Sequence, residues 1–240
     1  MIRLDRFLSN ATALSRTQAQ RAIRAGRVSV DGAIVKQAAV SVPLSALVCL
    51  DEAPVMPPLP RYIMLNKPMG VICATEDSSH RTAIDLLCLP NPAGLHFAGR
   101  LDIDATGLVL ITDDGQWSHR IVSPVHHCDK RYRVGLQQAL VVTDAQRLQE
   151  GLLLRGEKKP TRPAKLECIT PKEWLITISE GRYHQVKRMF AAVGCKVIAL
   201  HRESIGPLSL DVHLEAGKYR DLSSEEIRMF DSSPEQPPVS

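Results

Sequence analysis

Four prolines within seven residues, Pro54, Pro57, Pro58 and Pro60, constrain the folding of this chain more than any other local feature. Proline fixes φ and lacks an N–H, so that density favours extended, semi-rigid backbone over a helix or an internal strand. Residues 52–60 are therefore expected to be a linker between an N-terminal unit, residues 1–51, and a larger unit, residues 61–230. A second cluster, Pro234, Pro237 and Pro238, predicts a frayed tail over 231–240. A chain of 240 residues is long enough for two such units. Its 44% hydrophobic and 23% charged residues are those of a soluble globular protein. No apolar run approaches the roughly 20 residues a membrane helix needs, so no membrane partner and a cytoplasmic setting are expected. Cys49, Cys73, Cys88, Cys128, Cys168 and Cys195 are dispersed, with no C-x-x-C pair and no apparent signal peptide, which favours reduced thiols over a disulfide framework. His126, His127 and Cys128 are adjacent but lack further spaced ligands, so no metal site is expected.

Charge is concentrated at the N-terminus. Residues 1–40 hold Arg3, Arg6, Arg16, Arg21, Arg24, Arg27 and Lys36 against Asp5 and Asp31, so the remainder of a chain of net charge +4 is slightly negative. Leu4, Phe7 and Leu8 mark one face of a short helix. Ser15 to Gln18 fits a capping box that opens a second helix, with Ala19, Ala22 and Ile23 inward and Gly26 as its stop. Val28 and Val30 lead into Asp31-Gly32, a hairpin signal, with Ile34 and Val35 returning. The ordinary role of arginines on such a helix is a solvated face. The scarcity of acidic partners and the planar fork of arginine point instead to phosphate contact. The run Arg3-Leu4-Asp5-Arg6-Phe7-Leu8, Ser15-Arg16 and Ala25-Gly26-Arg27-Val28-Ser29-Val30-Asp31-Gly32 resembles the S4 RNA-binding domain, departing at Asp31, where that family commonly has asparagine. The resemblance implies RNA contact by Arg3, Arg6, Arg16, Arg21, Arg24 and Arg27.

Beyond the prolines, short apolar segments predict strands over 62–65, 71–74, 108–111, 131–135, 152–154, 164–169, 174–179 and 196–200. Helices are predicted over 82–89, 116–122 and 145–150, the last capped by Asp144, and most clearly over 184–193, where Val186, Met189, Phe190 and Val193 form the buried stripe and Gly194 the stop. Irregular alternation of this kind predicts an α+β fold with a mixed, mostly antiparallel sheet. No glycine-rich nucleotide-binding pattern appears, so no cofactor is expected.

Arg100, Asp102 and Asp104 lie in a turn-rich stretch between apolar segments. From spacing alone, capping of a turn closed by Thr106 and Gly107 is the commoner role for such carboxylates. Tyr132 alternates with Val134 as a sheet residue does, Lys187 fits a solvated helix face, and His184 fits a structural histidine. An Asp102–Asp104 hydrolytic pair, one residue apart, is a further reading of the same stretch.

A resemblance changes that weighting. Gly99-Arg100-Leu101-Asp102 with Thr106-Gly107-Leu108 and Thr112-Asp113-Asp114-Gly115 resembles the signature of the RsuA/RluB branch of pseudouridine synthases, with Ala105 where that family usually has threonine. Leu65 to Val71, Lys130 to Val134 and Glu180 to Met189 match three further blocks in the same order. With the N-terminal module, the similarity spans residues 2 to about 228. It implies that Asp102 is the nucleophile on a flipped-out uridine, that Lys187 is its basic partner and that Tyr132 stacks on the base and serves proton transfer. It implies that Arg100 occupies the gap left in the RNA or holds its backbone. An attacking carboxylate must be ionised, which a neighbouring cation favours. No metal or cofactor is implied. The implied partner is ribosomal RNA, nearest to members acting on 16S rRNA within an assembling small-subunit particle, with a monomeric enzyme. The same chemistry on 23S rRNA, and a non-catalytic S4-containing assembly factor, are the alternatives.

Overall fold

The computed structural model describes residues 1–231 apart from 90, 91, 93, 124 and 126. The chain forms two compact units: Met1–Pro60 with the region of Cys88, and Arg61–Leu87 with the residues from Gly94 onwards. Most of the expected tail, 232–240, lies outside the described residues, as does His126. Asp231 does not fray: it accepts a hydrogen bond from Arg120 Nη2 at 2.7 Å. Among the described residues no helix is long and apolar enough to cross a membrane.

The smaller unit runs β1 (Ile2–Arg3), α1 (Leu4–Ala11), α2 (Arg16–Arg24), β2 (Val28–Val30), β3 (Ala33–Ile34), β4 (Ser41–Val42), β5 (Val48–Leu50) and β6 (Ala53–Val55). Ser15 and Gln18 close the capping box of α2. Asp31 and Gly32, at φ +50° and +83°, turn β2 into β3 as the left-handed pair of a tight hairpin. Leu4, Phe7 and Leu8 pack with Ala19, Ala22, Ile23, Val28, Val42 and Val48 as the core. Residues 53–55 are strand, not linker: β6 pairs antiparallel with β5, Leu50 opposite Ala53 and Val48 opposite Val55. Pro54 is tolerated because β6 is the edge of the four-stranded sheet β3-β2-β5-β6. The hairpin was hidden because its turn, Asp51-Glu52, is left-handed without a glycine.

The arginines here are less free than their number implies. Asp5 is fully buried and accepts hydrogen bonds from Arg3 at 3.1 and 2.9 Å, Gln20 at 2.9 Å and Arg16 at 3.3 Å. Arg27 pairs with Asp51. The expected scarcity of acidic partners therefore holds for Arg6, Arg21 and Arg24 alone among the six, no acidic side chain pairing with these three among the described residues.

The larger unit runs β7 (Tyr62–Lys67), β8 (His96–Phe97), β9 (Thr106–Thr112), α3 (Gly115–Val122), β10 (Lys130–Leu136), α4 (Val142–Glu150), β11 (Lys165–Thr170), β12 (Glu173–Ile178), α5 (Gln185–Ala192), β13 (Val197–Ile205), β14 (Leu208–Ser209), β15 (Tyr219–Asp221) and α6 (Ser224–Arg228). Its sheet has the order β11-β12-β10-β13-β9-β7-β15, with β14 beside β13 and β8 beside β9. Only the central β13–β9 pair is parallel among these ladders. The class is α+β with a mixed, mostly antiparallel sheet, as the sequence pattern predicts. Under β7 and β9, Met64, Leu108 and Leu110 pack with Trp117, Ile121, Ile205 and Phe230. Tyr62 and Phe230 meet Trp117 edge-on.

Three expected elements are absent. Residues 82–89 form turns rather than a helix. Thr82 and Asp85 make the reciprocal bonds of a capping box at 3.1 and 2.8 Å. The chain does not continue in α-helical register, Leu87 N donating to Ile84 O three residues back and Cys88 turning left-handed at φ +46°. Residues 71–74 contribute only a bridge from Ile72 to Thr82. Leu152–Leu154 has no ladder; Leu152 instead exchanges hydrogen bonds with Thr161. Asp144 lies in the first turn of α4 and does not cap it; the cap position is Val141.

Burial alone would raise the Asp5 pKa, but hydrogen bonds from Arg3, Gln20 and Arg16 outweigh it and hold the carboxyl at about 2. A carboxylate whose pKa is lowered by folding stabilises the fold above its unfolded value of about 3.9, and that contribution is lost as pH falls through 2. Asp5→Asn is expected to remove about 2 kcal/mol at pH 7 and progressively less below pH 4. Hydrogen exchange of the α1 and α2 amides reads this as about a thirtyfold loss of protection at neutral pH.

Candidate active site

Residues 99–105 connect β8 to β9 as irregular backbone, and two buried cations hold them. Lys67, at the end of β7, has no exposed surface. Its Nζ donates to the carbonyls of Ala105 at 2.7 Å, Pro68 at 3.0 Å and Ile103 at 3.5 Å. Burial pushes its pKa down, and the negative ends of these carbonyl dipoles replace the water an ammonium requires. Arg202, on β13 and 2% exposed, donates to Leu108 O at 2.7 Å, Gly99 O at 3.2 Å and Arg100 O at 3.3 Å. The segment is completed by Leu101 N donating to Cys73 Sγ at 3.4 Å and Ala105 N to Asp102 O at 3.1 Å. Gly107, at φ +100°, lets β9 run against β13: a Cβ there would stand 2.4 Å from the carbonyl oxygen of Arg202.

Asp102 is thereby presented to the start of α5. Lys187 Nζ lies 3.1 Å from its Oδ2, and His184 Nε2 lies 3.3 Å from its Oδ1. Its side chain remains 26% exposed, enough for a ligand to reach a carboxylate held on both oxygens. Asp104 also bonds to Lys187, from a more exposed position. The Lys187 hydrogen bond is the largest influence on Asp104 and lowers its pKa. Burial works to lower the pKa of Lys187, but its bonds to Asp104 and Asp102 outweigh it, and the net shift is upward. The lysine thus stays charged across the ordinary pH range. Asp102 and Asp104 share a cation in a turn; they are not neighbours on a strand face, as a hydrolytic pair would require.

Asp102, Tyr132 and Arg100 line one pocket with Glu180, Arg182 and His184. Tyr132 is 8% exposed, its ring beside Arg202, and its hydroxyl accepts from Arg202 Nη1 at 3.4 Å. Lys187 contacts the carboxylate without lining the pocket. The structure therefore brings together all four residues named in the larger unit. Sequence reasoning left out Lys67 and Arg202, and it set His184 aside as structural. His184 opens α5 in a left-handed conformation, φ +47°, which turns it toward Asp102. Among the described residues no three His, Cys, Asp or Glu side chains converge as metal ligands do. The arrangement suits nucleophilic chemistry: a carboxylate kept beside a cation, at the wall of a pocket with an aromatic side.

Removing the Arg202 guanidinium leaves several carbonyls without a donor. Arg202→Met is expected to cost the larger unit about 2–4 kcal/mol, measured by urea unfolding followed through tryptophan fluorescence.

Comparison with known proteins shows the family. The family model for RNA pseudouridylate synthase matches residues 61–192, and that for the S4 domain matches residues 2–48. The chain is 52% identical over 227 residues to the ribosomal small subunit pseudouridine synthase A of Yersinia pestis, covering 94% of this chain and 97% of that protein. The protein of the same name from Escherichia coli (strain K12) is also 52% identical, covering 94% and 98%. A solved crystal structure of a pseudouridylate synthase superposes with a TM-score of 0.70 at 47% identity, covering 96% of this chain and all of that one. The chain belongs to the RNA pseudouridylate synthase family and carries an S4 domain ahead of the synthase domain.

Proposed function

We propose that this enzyme isomerises a uridine of small-subunit 16S rRNA to pseudouridine, with Asp102 as nucleophile. The observation that carries the reading is the Asp102 carboxylate paired with Lys187 at the wall of a pocket that Tyr132 also lines. Asp102 attacks C6 of the uracil or C1′ of the ribose, and the N1–C1′ bond breaks. The uracil turns and C5 bonds to C1′. The Asp102 bond breaks, displaced by C5 if it was made to C1′ or eliminated from the ring if it was made to C6, so the carboxylate is regenerated. The C5 proton leaves and N1 gains one. The product has the formula of the substrate, so no co-reactant is consumed. Lys187 lies against the carboxylate as its counter-charge, and Tyr132 lies against the base. Arg100, exposed at the pocket, holds the RNA backbone.

A paired base must leave its stack to reach Asp102, at a cost of a few kcal/mol. Phosphate contacts from Arg6, Arg21 and Arg24 of the S4 domain offset that cost. The choice of 16S over 23S rRNA rests on relatives at 50–52% identity whose names specify the small subunit; that the substrate is an assembling small-subunit particle is part of the proposal.

Asp102→Asn is expected to fold and to bind rRNA as the wild type does, while losing at least about a thousandfold in pseudouridine formation. Pseudouridine mapping of 16S and 23S rRNA from a strain lacking the gene checks the substrate: one 16S site reverts to uridine. Loss at a 23S site instead would refute the small-subunit assignment. Arg21→Ala with Arg24→Ala is expected to weaken rRNA binding and flatten its dependence on salt concentration, read as the slope of affinity against salt.

A further inference from the structure

The larger unit is close to neutral in sum, yet it carries a basic loop beside the Asp102 pocket. After α4, residues 155–162 read Arg-Gly-Glu-Lys-Lys-Pro-Thr-Arg, and Arg155, Lys158 and Lys159 are exposed. Among the described residues no acidic side chain pairs with these three. The loop is fastened to the block that precedes α5. Arg182 donates to the carbonyls of Lys159 at 2.8 Å and Pro160 at 2.6 Å. Arg188 donates to Arg155 O at 2.8 Å and to Glu157 at 2.9 Å. Arg182 lines the Asp102 pocket, so the loop stands one side chain from it.

Arg188 also donates to the carbonyl of Tyr183 at 3.1 Å, tying the loop to an exposed aromatic. Tyr183 is 74% exposed and stacks on His184, ring centroids 3.8 Å apart and planes 20° apart. His184 in turn lies against Asp102. One face of the tyrosine is held flat by the imidazole while most of the ring meets solvent. A bare aromatic ring beside unpaired cations is the combination that binds single-stranded nucleic acid: bases stack on the ring and phosphates meet the cations.

We propose that Tyr183 and the Arg155–Lys159 loop cradle the single strand flanking the target nucleotide, one flanking base stacking on Tyr183 and the adjoining phosphates lying against Lys158, Lys159 and Arg155. The assignment rests on the reading of the enzyme as an RNA isomerase and adds where the flanking strand runs. Extruding one nucleotide unstacks its neighbours, and a stacking surface fixed next to the nucleophile keeps them from closing the gap.

The test uses the full-length protein, a single-stranded oligouridylate for affinity and a 16S rRNA transcript for turnover. Tyr183→Ala is expected to weaken oligouridylate binding about tenfold with the salt slope unchanged, and Tyr183→Phe to restore it. Lys158→Ala with Lys159→Ala is expected to reduce the salt slope by about 1.4 and to raise KM several-fold more than it lowers kcat. Lys172→Ala with Lys196→Ala, near the end of β10 away from Tyr132, serves as the control for net charge and is expected to change neither. Wild-type binding by Tyr183→Ala, or equal flattening by the control pair, overturns the cradle. An inactive wild type whose oligouridylate binding still responds to Tyr183 and the lysine pair refutes the isomerase reading and leaves the strand-binding surface standing.

Discussion

Two buried cations clamp the segment that leads into β9, and the position of Asp102 depends on that clamp. In the sheet β9 lies between β13 and β7. Arg202 reaches in from β13 to the carbonyls of Gly99 and Arg100, and Lys67 from β7 to those of Ile103 and Ala105. An unpaired charge in such a place costs many kcal/mol, so the carbonyls must turn inward to meet both cations. With anchors on each side of it, Asp102 has little freedom to leave the pocket. The same requirement explains Gly107, since only a residue without a Cβ lets β9 lie close enough to β13 for Arg202 to reach.

Around the carboxylate, one lysine serves two acids. Burial by itself would favour the neutral amine of Lys187, and a neutral amine would leave Asp102 without its counter-charge. Asp104 alters that balance: its bond to Lys187 adds a second negative charge, and the net effect keeps the ammonium charged. Asp104 thereby shares the Lys187 cation with Asp102 from a more outward position.

What the sequence made legible was local. The Ser15–Gln18 capping box, the Asp31-Gly32 hairpin and the apolar stripe of α5 each rest on contacts within a few residues, and each is present. The β5–β6 hairpin was misread because proline density carries no information on whether a strand is central or at an edge. The helix expected over 82–89 has its capping box at Thr82 and Asp85 but is cut short by the left-handed backbone at Cys88. In the site, spacing alone never raised Asp102 above a turn cap; the resemblance of four ordered blocks did. Lys67 and Arg202 were invisible for a physical reason. Apart from the adjacent Pro68 carbonyl and the Tyr132 hydroxyl, their partners are backbone carbonyls 36–38 and 94–103 residues away, and a carbonyl has no sequence signature.

Net charge was a poor guide to where a polyanion would bind, and the structure shows why. In the S4 domain, Arg3 and Arg16 are committed to Asp5 and Arg27 to Asp51, so half of the arginines are structural. In the synthase domain the same pairing occurs, but away from the basic loop. Arg131 pairs with Glu167, and Arg133 with Glu173 and Glu203, on the face of β10 opposite the buried Tyr132 and Val134. Carboxylates engaged there cancel their own cations and do not screen the Arg155–Lys159 loop. Affinity for phosphate follows the cations left without partners, because only these gain an interaction on binding instead of exchanging one for another. By that measure a domain with almost no net charge can still grip RNA beside its pocket.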